Sequence, residues 1–366
     1  MTNQTCLSEK KYRNSEAGFS LIEMIISIVI FTIVMGLVYG LMEVARSGRT
    51  TNNQRVDINQ NARAALNTIG NEIFNAGAGF PQNGVKAADN VFSQLLFGVD
   101  DANTGEDILT PVVSGNNLND NLLANCQKCT DRLTIVSVDE GFNNGQSLDI
   151  TVRSDTRVEV KKQPPDSVAG SISGFAFNVN DLYLMKGTSG ISGIGMVTSI
   201  TDNKYLNFDY NDPYKINRGG TNSQLSKICS LTNPNCDAVL SRLRFVTYQT
   251  LPDGTLVRTT YGSPLSKPGA QPNDLVTQNE PLIYGVEDMQ VRYVLMDGTV
   301  LDDPLAGLDN IAGGAGAADD RKMQDVRQVL ISLRIRSPKP DLRNNQYTKM
   351  TISSSFSTRN LGYEAK

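Results

Sequence analysis

The sequence predicts an α+β protein in which one long N-terminal helix packs on a largely antiparallel β-sheet head. Three observations carry this. Residues Met24 to Met42 are nineteen in a row without a charge, and the chain then runs from Glu43 to Ala76 without a proline. An apolar repeat of helical spacing marks that second stretch. Ten short runs rich in β-branched and aromatic residues follow from Arg132 onward.

The first half of the helix has membrane dimensions. With Phe19 to Ile22 added, the apolar run reaches the roughly 20 residues needed to cross ~30 Å of hydrocarbon. Lys10, Lys11 and Arg13 precede it, set against Glu9 and Glu16. Positive residues beside a span stay on the cytoplasmic side, so the remainder is expected to face the periplasm or exterior. A secretory signal peptide would carry its small-residue cleavage site after the apolar stretch, whereas Gly18 lies before it. Cleavage at Gly18 would leave the hydrophobic segment on the mature chain. Glu23 is the exception in this stretch. A central charge in lipid costs about 2.5 to 3.5 kcal/mol, less near an end, so the carboxylate calls for a partner. Cleavage would create one, a Phe19 ammonium four residues away.

The second half reads as a water-exposed amphipathic helix. Ile58, Ala62, Ala65, Leu66, Ile69 and Ile73 recur on one face, and Gly77, Gly79 and Pro81 end the pattern. Phe19 to Ala76 would span roughly 87 Å at 1.5 Å per residue. The expected organisation is a leader over 1–18, a transmembrane half over 19–42, an amphipathic half over 43–76 and a β-rich head over 77–366. Gly36 and Gly40 form a small-xxx-small pair that would let two helices approach closely, although glycine is common in membrane helices.

Strands are expected at Arg132 to Val138, Leu148 to Val152, Asp181 to Met185, Ile194 to Ile200 and Tyr205 to Tyr210. Others are expected at Arg242 to Gln249, Thr255 to Tyr261, Gly285 to Met296, Val326 to Arg336 and Tyr347 to Ser357. Pro252-Asp253-Gly254 and Asp297-Gly298 mark hairpin turns. The glycine-rich stretch from Gly307 to Asp320 reads as a loop.

Composition narrows the chemistry. There is no histidine in the chain, which removes histidine-based triads, histidine metal clusters and the commonest general base. The glycines from Gly187 to Gly195 have neither P-loop nor dinucleotide-fingerprint spacing, so a hairpin explains them. No enzyme and no cofactor are expected. The formal charge of −4 argues against broad electrostatic binding of nucleic acid. Arg327, Arg334, Arg336, Lys339 and Arg343 gather near the C-terminal end, with Arg334 and Arg336 on one face of a strand. A solvated sheet face is the expectation there, and a DNA-contacting strip is the alternative. Asp101, Asn103, Gly105 and Asp107 have alternating oxygen ligands that suit calcium, but the terminal glutamate of an EF-hand is missing. Of five cysteines, Cys6 lies in the leader, leaving Cys126, Cys129, Cys229 and Cys236. In an oxidising compartment two disulfides are the default, with local pairing favoured among three connectivities. A four-cysteine zinc site is the rival, weakened by the six-residue gap in the second pair.

The run Gly18-Phe-Ser-Leu-Ile-Glu23, between a short basic leader and a membrane-length segment, resembles the N-terminus of type IV prepilins. That resemblance implies peptidase cleavage between Gly18 and Phe19, N-methylation of Phe19, and pairing of Glu23 with the Phe19 amine of a neighbouring subunit. Val179-Asn-Asp-Leu-Tyr-Leu-Met with Gly195-Met-Val-Thr-Ser-Ile resembles a strand pair of the PilW family of minor pilins. Tyr284-Gly-Val-Glu-Asp-Met-Gln-Val-Arg-Tyr, Val326-Arg-Gln-Val-Leu-Ile-Ser-Leu-Arg-Ile-Arg-Ser and Phe356-Ser-Thr-Arg-Asn-Leu resemble that family too. Long insertions near residues 80 to 125 and 210 to 240 depart from its compact pattern. The family implies a pilin-like fold and a structural subunit that helps start or cap a pilus. Its partners would be other major and minor pilins, prepilin peptidase, the inner-membrane pilus assembly machinery and membrane lipid. A minor pseudopilin of a type II secretion system shares the same motif. From a different class, a pilus-tip adhesin or DNA-uptake receptor would be distinguished by direct binding to the head.

Overall fold

In the computed structural model the described residues are 20–81, 84–86, 91–92, 95–96, 108–119, 130–161, 177–202, 204–220, 223–229, 236–262, 278–301, 326–340 and 345–358. Helix α1 spans Leu21–Asn75, 55 residues, or about 83 Å. Its membrane-length half is bare: Leu21, Ile25, Phe31, Leu37 and Leu41 are all more than half exposed. The six residues of the amphipathic stripe, Ile58 to Ile73, are all buried. One continuous helix is therefore bare along its apolar first half and buried in a protein core along its second. After Ala76 the backbone turns at Gly77 and Gly79, both with left-handed φ, at 75° and 69°. Gly77 donates to the Val136 carbonyl and Val138 donates to that of Ala78, each at 3.1 Å, which stitches the helix exit to the strand Thr130–Val138.

Among the described residues the head contains an eleven-stranded sheet, a four-stranded sheet and a two-stranded ladder. Every strand pairing among the described residues is antiparallel. The 15-residue strand Cys236–Thr250 organises the large sheet. Its Phe245 to Thr250 end is flanked by Leu256–Tyr261 and Thr130–Val138. Its Cys236 to Arg242 end is flanked by Leu148–Val152 and Leu182–Gly187. The small sheet runs Val300–Leu301, Val286–Leu295, Val326–Pro340 and Tyr347–Ser357 in spatial order. Buried and exposed residues alternate along Val326–Pro340 at the period of two that one covered face demands.

Helix α1 covers that face. Its stripe shares a core with Met289, Val291, Val329, Ile331 and Leu333 of the small sheet and with Leu133, Val246 and Tyr248 of the large one. Gly70 makes the close approach possible, since a Cβ there would overlap the Phe356 ring on the last strand. The sheets are also tied by hydrogen bonds. The buried Asp131 accepts the Asn117 N–H at 2.8 Å through one carboxylate oxygen and the Val291 N–H at 2.7 Å through the other. Thr130 Oγ1 accepts the Met289 N–H at 3.0 Å.

Several expected boundaries move. The single strand expected over Ile194 to Ile200 is two, Ser192–Met196 and Ser199–Thr201. Val197 N–H donates to Asp181 and Thr198 N–H to Asn207, so the ladder changes partners between them. The strand expected to reach Tyr210 stops at Asn207, because the Phe208 N–H turns to the Thr156 carbonyl. Six strands among the described residues were not expected: Val85–Lys86, Ile108–Leu109, Val300–Leu301, Val112–Asn119, Arg157–Val160 and Gln278–Ile283. The last contains Pro281 and lies at the edge of its sheet, where a missing N–H is tolerated. A short helix α2, Gln224–Ile228, sits in the second insertion, capped by Ser223 Oγ accepting the Leu225 N–H at 3.1 Å.

Candidate assembly site

The helix starts on Ser20, whose backbone N–H donates to Glu23 Oε2 at 3.3 Å. A carboxylate in the first turn is favoured by the helix dipole and by the N–H groups that the helix leaves unpaired there. Those donors are partial charges. No cation among the described residues forms an ion pair with Glu23, while Leu21, Ile22 and Met24 around it are 77%, 65% and 63% exposed. Two hydroxyls of this half are satisfied within the helix. Ser27 Oγ donates to the Glu23 carbonyl at 2.7 Å, and Thr32 Oγ1 to that of Val29 at 2.8 Å, as hydroxyls in a lipid-facing helix must. A side chain at Gly36 or Gly40 would meet nothing within 4 Å, so contacts within the subunit do not explain either glycine.

Residues 13–39 match the prokaryotic N-terminal methylation motif. This is a prepilin-type N-terminus. The match covers the end of the expected leader, the Gly18-Phe19 junction, Glu23 and most of the bare apolar half of α1. Comparison with curated proteins and with solved structures returns no match. The chain thus combines the motif, one helix long and apolar enough to cross a membrane, and a large antiparallel β-head in a generic pilin-like architecture.

The remaining candidate residues fall into two groups. Gly18, Phe19, Cys126, Cys129, Asp101, Asn103, Gly105, Asp107, Arg343 and the 307–320 loop lie outside the described residues. Cys229 and Cys236 are joined as a disulfide with Cα atoms 6.0 Å apart, connecting the end of α2 to the long central strand. Among the described residues no cluster of metal-ligating side chains occurs. Three of the C-terminal cations that the sequence singles out, Arg327, Arg334 and Arg336, have local partners. Glu287, 1% exposed, meets Arg334 at 3.2 Å and Lys349 at 2.8 Å. Arg336 stacks on the Tyr347 ring at 4.5 Å, and Arg327 donates to Met296 Sδ at 3.3 Å. Of these contacts only the Glu287 carboxylate offsets charge, while Arg336 and Arg327 meet neutral groups.

Other charge clusters have no clear signature in the sequence. Glu72, near the end of α1, accepts from Arg244 at 2.7 Å and from Arg258 at 2.9 Å, and Arg258 also reaches Glu280 at 3.0 Å. This clamps the helix to two neighbouring strands of the large sheet. The only available hint was the position of Glu72 beside the buried Ile73. Farther from the helix, Arg242 pairs with Asp139 at 2.7 Å and approaches Asp181 at 3.6 Å. Burial pushes the Asp181 carboxyl up to about 6, although Arg242 and hydrogen bonds from Tyr183 and Asn178 pull it down.

Proposed function

We propose that the chain is a PilW-like minor pilin, a non-enzymatic subunit that helps start or cap a type IV pilus after prepilin peptidase cuts between Gly18 and Phe19. One observation carries the reading: a prepilin-type motif ends in a bare membrane-length helix whose Glu23 meets no cation among the described residues. A neighbouring subunit's methylated Phe19 ammonium would supply that cation at the same depth. The leader's positive charges put the head on the periplasmic side. Assembly then proceeds by helix packing in the membrane, helped by Gly36 and Gly40, and by contacts between heads.

The test separates insertion from assembly. Glu23→Ala removes a charge from the span and should insert and be cleaved as the parent is. It should co-purify poorly with other pilins, because the partner ammonium is left unpaired where water is scarce. Parental incorporation of the cleaved variant would sink the pairing.

A further inference from the structure

Between the strand Tyr205–Asn207 and α2, residues 209 to 220 form an irregular loop around an open cleft of about 770 Å³. Its frame is held by buried polar groups. Asp212, 3% exposed, accepts the Ile216 N–H at 3.0 Å and the Asn217 N–H at 2.8 Å. The Asn217 amide accepts from Met196 N at 2.9 Å and donates to the carbonyls of Met196 at 2.7 Å and Asp209 at 2.9 Å. Gly220 N–H donates to Asp155 at 2.9 Å. An irregular segment tied this closely is preorganised, which lowers the ordering cost of binding.

The groups left on the rim have a definite chemistry. Lys215 and Arg218 are exposed and form no ion pair with any described residue. Asp212, the carboxylate in the lining, has its oxygens turned to backbone donors. Lys215 is held at φ 57°, a left-handed conformation that is unfavourable for a residue with a side chain and persists where surrounding bonds enforce it. Here the Lys215 N–H donates to the Asp212 carbonyl at 3.0 Å. Tyr210 is 65% exposed and braced at Gly219, where a Cβ would come within 3.3 Å of its ring. Asn211 adds an exposed amide to the lining.

We propose that this cleft binds an acidic saccharide, with Arg218 and Lys215 taking the carboxylate, Tyr210 covering one face of the sugar ring and Asn211 meeting its hydroxyls. A planar guanidinium suits a carboxylate, an aromatic ring presents an apolar face with a polar tip, and the volume lies within the roughly 300 to 1,000 Å³ of small-ligand sites. The site lies in the head, away from the strands that α1 covers, and stands whether or not the pilin reading does.

Calorimetric titration of the detergent-solubilised full chain with trigalacturonic acid tests it. Saturable binding is expected, weakened by salt and at least about tenfold weaker for the fully methyl-esterified trisaccharide, since a charged hydrogen bond contributes roughly 1.5 to 3 kcal/mol. Arg218→Ala, Lys215→Ala and Tyr210→Ala should each lose about tenfold or more, whereas Lys186→Ala should bind as the parent does. Arg218→Lys keeps the charge without the fork and should fall between parent and Arg218→Ala. Thermal unfolding of each variant separates lost contacts from a lost frame. No saturable binding at millimolar trisaccharide, equal binding of the ester, or equally tight binding of inorganic phosphate would each overturn the proposal.

Discussion

Glu72 is where the helix and the head are held by charge, and its removal should loosen that joint by a calculable amount. Its partners lie 172 and 186 residues farther along the chain, so the clamp forms only in the folded state. The Arg244 side chain is 40% exposed, and its share is that of a surface pair, about 0.5 kcal/mol. Glu72 and Arg258 are 14% and 16% exposed. Removing one partner of a buried pair costs about 3 to 5 kcal/mol. Arg258 keeps Glu280, which reduces that loss. Glu72→Ala should therefore destabilise by about 2 to 3 kcal/mol, and Glu72→Gln, which keeps an acceptor oxygen, by less. Urea unfolding of the solubilised chain measures the total. Amide hydrogen exchange locates it, with faster exchange in residues 58–75 of the helix. A cycle with Arg258→Ala should give a coupling above about 1 kcal/mol. Stability of Glu72→Ala within about 0.5 kcal/mol of the parent, the range of an ordinary surface change, would refute the clamp.

Two further outcomes follow from buried carboxylates. Asp181 holds its proton more tightly when folded, at about 6 against an ordinary 3.8. Its stabilising contribution is therefore complete below about 3.8 and lost as pH rises through about 6, at most about 3 kcal/mol. Asp181→Asn should flatten that part of the stability profile, and parallel parent and variant profiles over that window would contradict the assignment. Asp131→Ala leaves the Asn117 and Val291 N–H groups without their acceptor and should cost about 2 to 4 kcal/mol, measured by urea unfolding. A cost under about 0.5 kcal/mol would mean that the two sheets are not joined through this residue.

The helix was legible because one strong period persists over many residues. Ile58, Ala62, Ala65, Leu66, Ile69 and Ile73 can share a face only on a helix, and that face is the buried one. The hairpins at Gly254 and Gly298 were legible for a local reason, since both glycines sit at left-handed φ, 82° and 85°. Strand ends were less so, because the switch of Val197 and Thr198 to new partners depends on residues far away in sequence. Arg157–Val160 escaped notice as a four-residue strand too short for alternation to stand out. At the N-terminus, Gly18, Phe19 and Glu23 could be singled out because a charge in an apolar run is conspicuous in one dimension. The cleft at Tyr210 could not, since Asp212, Lys215 and Arg218 look like any polar loop until Asp212 is seen turned inward and the cations outward.

The central claim is that residues 1–18 form a leader removed before the bare helix takes part in assembly. Intact-mass and N-terminal peptide mass spectrometry of the protein purified from native membranes tests it most directly. The account predicts a chain beginning at Phe19 and carrying one added methyl group on its amine. Assembled protein that retains residues 1–18, or that begins beyond the apolar run, would contradict it.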